Sequence, residues 1–123
     1  MTKLAFLHLA VGAPRPDRSN VHAMAISRSV IRVSWSAPAL PNSELPITAY
    51  RVQYKVRGEK DNIKTLMVQS SPAEVTGLLP GTEYRVLVAS INALGTGKYC
   101  CNGRSLSIYV WTLNGKWCDC EAS

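Results

Sequence analysis

One stretch of the sequence constrains the fold more than any other, a turn followed at once by strict alternation. Pro80 presets φ for the first central position of a turn, and Gly81 permits a positive φ at the second. The next residues alternate between two faces. Tyr84, Val86, Val88 and Ser90 fall on one face, and Arg85, Leu87 and Ala89 fall on the other. This period of two predicts a β-strand with one buried face.

Tyr84 stands at the start of that strand, two residues after Thr82 and four after Pro80. A tyrosine at such a corner can bury its ring while its hydroxyl reaches back to a backbone carbonyl just upstream. Antiparallel β-sandwiches use this arrangement, the tyrosine corner, at the connection between two strands. We therefore predict structural roles for Leu78, Pro80 and Tyr84.

Composition agrees with a single all-β domain. A chain of 123 residues can bury a core without disulfides, and 46% hydrophobic with 18% charged residues is too apolar for disorder. Seven prolines and eight glycines stand in short, spaced clusters, which is typical of many short turns between strands.

Two further segments alternate in the same way. Residues 31–36 place Ile31, Val33 and Trp35 on one face before Pro38, and residues 47–56 alternate apolar with polar or charged side chains. Together with residues 78–92, these segments resemble a fibronectin type III domain over residues 14–112, most specifically over residues 31–95. The resemblance implies an immunoglobulin-like β-sandwich of seven antiparallel strands, with Trp35 and Tyr54 in its core.

The predicted strands carry the family letters. They are A at 21–26, B at 31–36, C at 47–56, C′ at 63–68, E at 73–78, F at 84–92 and G at 106–112. The loop between F and G begins at residues 92–97 and is longer than usual in this family. In strand G we expect Leu106, Ile108 and Val110, rather than Tyr109 and Trp111, to face the core.

Both ends of the chain lie outside the predicted sandwich. Residues 1–13 contain Lys3 and an apolar run that is too short to span a membrane. This segment is interpreted as a signal-peptide remnant, the end of a preceding segment or a non-native start. Residues 113–123 are predicted to form a cysteine-containing tail.

All four cysteines stand in the last quarter of the chain. They are Cys100, Cys101, Cys118 and Cys120. Adjacent cysteines bridge each other only with strain, so an oxidised chain favours pairing between the first two and the last two. Thiolates in this pattern could instead hold zinc or copper(I), but the spacing is not Cys-x-x-Cys and no histidine is near. Disulfides or free thiols are the favoured interpretation, and we expect no metal and no cofactor.

The formal net charge of +6 directs attention to basic residues on the predicted sheet. Strand C should point Arg51, Lys55 and Arg57 outward, and strand F should point Arg85 the same way. The resemblance makes these strands neighbours, so the four cations should share one face, with Lys64 at its C′ edge. Such a face could bind a sulfated glycosaminoglycan, or it could be a solvated surface that discourages aggregation. We expect no nucleic-acid partner.

A second candidate contact is the tripeptide Asn102, Gly103 and Arg104, which the prediction places in the F–G loop. Fibronectin type III domains often display short adhesive peptides there, and Asn-Gly is prone to deamidate. Asn-Gly is also a common tight turn, which is the favoured reading. The chain has no Asn-x-Ser/Thr sequon, so N-glycosylation is not expected.

No catalytic motif is present. The sequence lacks a nucleophile elbow, a P-loop, paired catalytic carboxylates and a metal-binding histidine spacing. The resemblance implies a non-catalytic protein–protein interaction or cell-adhesion module of a larger receptor-type protein, extracellular or at the cell surface and with an unidentified protein partner. Membrane anchoring of that larger protein is left open. The alternative is a structural spacer without a ligand of its own.

Overall fold

The structure is a computed structural model, and it describes residues 12–38, 45–100 and 108–114. A short 3-10 helix, Arg18–Asn20, precedes eight β-strands in the described residues. The strands are β1 His22–Ala25, β2 Ile31–Ser34, β3 Ala49–Val56, β4 Lys64–Val68, β5 Ala73–Val75, β6 Glu83–Asn92, β7 Gly95–Tyr99 and β8 Ile108–Trp111.

The strands form two antiparallel sheets. The smaller sheet has the order β1-β2-β5, and the larger has the order β4-β3-β6-β7, with β8 also paired to β6. The apolar faces of the two sheets enclose the core between them. This confirms the predicted all-β sandwich and the neighbouring positions of strands C (β3) and F (β6).

The eighth strand is β7, which forms in the stretch predicted to be the F–G loop, whereas β8 lies within predicted strand G. Both β7 and β8 run along the same edge of β6, β7 opposite residues 89–92 and β8 opposite residues 83–86. The turn before β7 is a short hairpin in which Asn92 pairs with Gly95, whose φ is 118°. The prediction of a long loop from residue 92 to strand G is therefore wrong, because pairing with β6 resumes at Gly95.

The core is apolar and continuous across both sheets. Its buried members include Val21, Ile31, Val33, Trp35, Tyr50, Val52, Val75, Leu78, Tyr84, Val86, Leu87, Val88, Cys100 and Ile108. The ring of Trp35 packs on the ring of Tyr50, with centroids 5.1 Å apart and planes inclined by 57°. Burial raises the pKa of Tyr50, and the neighbouring indole of Trp35 opposes that rise.

Two expectations about the core need correction. Tyr54, expected to be buried, is only half-buried, because it lies near the end of β3 opposite Lys64 of the edge strand β4. Strand β6 was expected to bury one face, but Leu87 and Ala89 on its other face are buried as well. In β8, Ile108 is buried and Tyr109 and Trp111 are exposed, as the predicted register requires.

The N-terminal part of the described chain packs against β7. Ala13 and Pro16 are buried, and the Ala13 carbonyl approaches Gly97 so closely that a Cβ at that position would overlap it. Residue 97 therefore tolerates only glycine while this contact is kept.

The corner before β6 holds a buried tyrosine with a bonded hydroxyl. The backbone N–H of Leu79 donates a hydrogen bond of 2.8 Å to the hydroxyl oxygen of Tyr84. We expected the Tyr84 hydroxyl to donate to a backbone carbonyl just upstream. It does bond to the backbone just upstream, but it accepts a hydrogen bond from an N–H there. Gly81 adopts a φ of 58°, as the turn interpretation required.

Replacing Tyr84 by phenylalanine should lower the free energy of unfolding by about 1–2 kcal/mol, because the partly buried Leu79 N–H loses its acceptor. Urea denaturation of the whole chain measures this change. The matched control is Tyr109→Phe, which removes a hydroxyl from an exposed ring and should change stability by less than about 0.5 kcal/mol. Equal midpoints for the two variants would contradict a stabilising corner.

Candidate interaction surface on the larger sheet

The outer face of the larger sheet, the face that points away from Trp35, gathers cations and aromatic rings at one end. The register aligns Lys55 of β3 with Arg85 of β6, and Arg85 in turn with Tyr109 of β8. Two residues further along β6 and β8, on the same face, Glu83 pairs with Trp111. We call this group the aromatic–cationic patch. It comprises Lys55, Arg57, Glu83, Arg85, Tyr109 and Trp111.

Arg57 is held in the patch by two contacts. Its guanidinium donates to both carboxylate oxygens of Glu83 at 3.2 Å, and its central carbon lies 4.2 Å from the centre of the Tyr109 ring. Because the Arg57 side chain is 56% exposed, the ion pair contributes at most about 1 kcal/mol. The contacts orient the guanidinium, and Glu83 offsets one of the positive charges.

Lys55 and Arg85 face each other across the β3–β6 ladder. The Lys55 ammonium donates to the backbone carbonyl of Glu59 in the turn after β3. In the part of the chain that the structure describes, Arg85 has no acidic partner. Like charges directly opposite each other on a sheet cost stability, so this pair is unfavourable.

The aromatic residues of the patch are unusually accessible. Trp111 is 58% exposed and Tyr109 is 37% exposed. The sequence predicted their outward direction but did not mark them as a site. The available signal was the combination of a large aromatic with an outward register position next to two cationic strands. Tryptophan, tyrosine and arginine are the residue types most enriched at the energetic centres of protein interfaces.

Arg51 lies apart from the patch. It is four residues from Lys55 along β3, about 13 Å at the usual rise of a strand. It pairs with Ala89 of β6, whose other neighbour is Tyr99, and its Nε donates to the Thr96 hydroxyl at 3.3 Å. Burial raises the pKa of Tyr99, and the nearby Arg51 charge opposes that rise. The sheet therefore places three of the four predicted cations together and Arg51 in a separate environment.

Lys64 was expected at the edge of the same face. It pairs with Tyr54, an inward-facing position of β3, so the register directs Lys64 to the inner side of the sheet. The expectation is therefore wrong, because a strand has a period of two and the pairing fixes its phase.

The remaining predicted residues fall largely outside the described part of the chain. Asn102, Gly103 and Arg104 lie outside it, as do Cys101, Cys118 and Cys120. The turn between β6 and β7 is formed near residues 92–95. Cys100 is fully buried and disulfide-bonded.

Two classes of site are absent from the described residues. Within residues 12–38, 45–100 and 108–114, no three histidine, cysteine or acidic side chains are grouped so that they could hold a metal ion. The same residues contain no helix with the length and apolar character needed to cross a membrane.

Known proteins share sequence with this chain. The chain is 35% identical to Contactin-2 of Mus musculus over 97 residues, which are 76% of this chain and 9% of that protein. It is 32% identical to Receptor-type tyrosine-protein phosphatase F of Danio rerio over 92 residues, 72% of this chain and 5% of that protein. The chain thus spans less than a tenth of the length of these curated relatives.

A solved structure shares the same fold. The FN5 domain of Drosophila Lar superposes with a TM-score of 0.64 at 27% identity, covering 85% of this chain and all of that domain. The FN1–FN3 domains of chicken CNTN1 superpose with a TM-score of 0.66 at 23% identity, covering 83% of this chain and 33% of that structure.

The family model described as Fibronectin type III domain matches residues 12–100. Its match ends at Cys100, directly after β7, whereas β8 continues the pairing with β6 beyond the match. With the match covering well over half of the chain and the sandwich in place, the chain belongs to the fibronectin type III domain family.

Proposed function

We propose that this chain is a non-catalytic interaction module of a larger extracellular or cell-surface protein, and that it contacts a partner protein through the aromatic–cationic patch. The relatives with receptor names, such as Receptor-type tyrosine-protein phosphatase F and Ephrin type-B receptor 4b of Danio rerio, support this setting. The observation that carries the proposal is the exposed Trp111 beside Tyr109 and Arg85 on the paired strands β6 and β8.

The chemistry of the patch favours an acidic partner surface. Three cations surround two rings, and Glu83 is the one acidic residue in the group. A ring that becomes buried on binding contributes through its apolar area, while the cations select a partner of opposite charge. Because Arg57 is already held by Glu83 and Tyr109, less side-chain freedom is lost on binding.

Binding of the labelled full chain to a panel of cultured cell lines tests this proposal. The test variant carries Trp111→Ser and Arg85→Ser. The matched control carries Met24→Ser and Arg28→Ser on the smaller-sheet side, and Met24 is also 58% exposed. Loss of one central aromatic costs at least about 2 kcal/mol at an interface, so the test variant should bind more than tenfold more weakly.

The control should retain saturable binding at the wild-type concentration. Equal losses in the two variants, or no saturable binding of the wild-type chain to any line, would contradict the proposal. A chain with neither cell binding nor anion binding would fit the spacer role instead.

A second candidate function is binding of a sulfated glycosaminoglycan, and it is favoured by the opposed pair Lys55 and Arg85. We expect Lys55→Ser with Arg85→Ser to weaken heparin binding more than Arg15→Ser with Arg28→Ser, which removes the same charge from exposed positions elsewhere. The heparin affinities of both double variants should fall as the salt concentration rises, through counterion release. Equal losses would mean that only net charge matters. Heparinase treatment of the cells separates this function from protein binding.

A further inference from the structure

A cleft of about 410 Å³ opens between the two sheets on the side of their free edges, where β4 and β5 end the larger and smaller sheets. It lies between the end of β3, the turn after it and the segment that follows β5. The lining includes Tyr54, Val56, Asn62, Lys64, Leu78 and Tyr84. Its volume falls in the range of small-ligand sites, about 300–1,000 Å³.

The lining of the cleft is divided about evenly between polar and apolar surface, and Tyr54 and Leu78 belong to its apolar part. Tyr54 faces inward on β3 yet stays half-buried, whereas Tyr50 and Val52 on the same side of β3 are buried. Strand β5 ends at Val75, and the chain then turns through Gly77 with a φ of 73°. The smaller sheet therefore does not cover the end of β3 where Tyr54 faces inward. Part of the Tyr54 ring is left accessible beside Leu78.

Two lysines and one acidic residue line the cleft, namely Lys55, Lys64 and Glu59, so the lining has one excess positive charge. The Lys55 ammonium already donates to the backbone carbonyl of Glu59. Lys64 pairs in register with Tyr54, so its side chain lies on the inner side of the edge strand, and it has no acidic partner among the described residues. Glu59, the acidic residue on the rim, accepts a hydrogen bond of 3.4 Å from Asn62 within its own turn. An inward lysine on an edge strand also blocks pairing with other strands. That role does not require a cleft lined by the Tyr54 ring.

We propose that this cleft binds a hydrophobic carboxylate, with the apolar group on Tyr54 and Leu78 and the carboxylate paired with Lys64. The one excess positive charge of the lining matches a single negative charge, and the apolar side chains of Tyr54 and Leu78 account for the body of the ligand. Two sources share this chemistry, a free hydrophobic carboxylic acid and the C-terminal residue of a polypeptide. The inference rests on Lys64 and Tyr54, which lie on the inner side of the larger sheet, and the cleft shares only Lys55 with the aromatic–cationic patch.

Isotope-labelled full chain observed by NMR provides the test. The probes are phenylbutyrate, its neutral amide, the peptide acetyl-Gly-Ser-Gly-Phe with a free C-terminus, and the same peptide amidated. At least one acid should shift the amides of Tyr54, Lys64 and Leu78 in a saturable way. An exposed ion pair contributes modestly, so the acid should bind about three- to fivefold more tightly than its amide.

Lys64→Gln should abolish the preference of the cleft for acid over amide. Lys60→Gln, which removes an equal charge from the exposed turn nearby, should leave the preference unchanged. If phenylbutyrate binds and the peptide acid does not, the ligand is a free carboxylic acid. If the peptide acid binds as well, the C-terminal residue of a polypeptide is also accepted. The proposal is overturned if neither acid binds saturably, if acid and amide bind equally, or if the two variants lose the preference alike.

Discussion

Replacing Trp35 by alanine should lower the free energy of unfolding by about 3–5 kcal/mol. The indole is 7% exposed and packs against the Tyr50 ring between the two sheets. Its removal leaves a cavity that rigid flanking strands cannot fill, while the backbone N–H of Trp35 keeps its 2.9 Å bond to the Ser71 hydroxyl. Urea denaturation followed by far-ultraviolet circular dichroism measures the loss without relying on tryptophan fluorescence.

The chain offers a control of the same chemical change. Trp111→Ala removes an indole that is 58% exposed and should alter stability by less than about 0.5 kcal/mol. Should Trp35→Ala fail to fold, Trp35→Phe serves in its place. Phenylalanine keeps a ring in the core. The polar group that it removes is an indole N–H that has no hydrogen-bond acceptor of acceptable geometry in the described residues. Trp35→Phe should therefore lower the free energy of unfolding by less than Trp35→Ala. Midpoints that do not separate Trp35 from Trp111 would contradict the core position of Trp35.

The sequence predicted the central strands well because their burial repeats with a period of two. Tyr50 and Val52 in β3, with Val86 and Val88 in β6, recur at that spacing, and the structure pairs Val52 directly with Val88. Flanking turns were equally informative, since Gly81 adopts the positive φ that its turn requires. Alternation and turn chemistry are local properties, and both can be read without knowing the neighbours in space.

Properties that depend on neighbours were harder to predict. Strand β7 begins Gly-Thr-Gly, in which the two glycines have low strand propensity, and it forms because β6 offers a free edge. Leu87 and Ala89 alternate as an exposed face would, yet both are buried on the outer side of β6. The inward direction of Lys64 follows from its pairing with Tyr54, which no pattern within β4 reveals.

The candidate site shows the same division. Outward positions of Lys55, Arg57 and Arg85 follow from alternation, and the register brings these three together. The contacts that distinguish them come from other strands, namely Glu83 beside Arg57 and Tyr109 above it. Arg51 is separated from the group by strand length alone. Sequence therefore indicates which side chains leave the sheet, whereas the pairing decides which of them act together.

The hydroxyl of Thr112 joins the end of β8 to the corner before β6, and no sequence pattern predicted that role. Its oxygen accepts a 2.9 Å hydrogen bond from the Thr82 N–H, and the hydroxyl donates at 2.6 Å to the Leu79 carbonyl. The backbone N–H of Thr112 bonds to the Thr82 carbonyl, and the next residue, Leu113, bonds to Ser27 beside the smaller sheet. A buried hydroxyl therefore bonds the end of β8, which lies beyond the family match, to the corner before β6.

Replacing Thr112 by valine should lower the free energy of unfolding by about 2–3 kcal/mol, because the shape is kept while a partly buried donor and a partly buried acceptor both lose their partner. Urea denaturation measures the loss, and Thr65→Val on the exposed side of β4 is the control, expected to change stability by less than about 0.5 kcal/mol. Amide exchange gives a second measurement. If Thr112 anchors β8, the amides that pair β8 with β6 should exchange faster in Thr112→Val, while those that pair β3 with β6 should change only as much as global stability does. Uniform acceleration in both ladders, or a stability equal to that of Thr65→Val, would mean that β8 is held by its backbone bonds and apolar contacts without the hydroxyl.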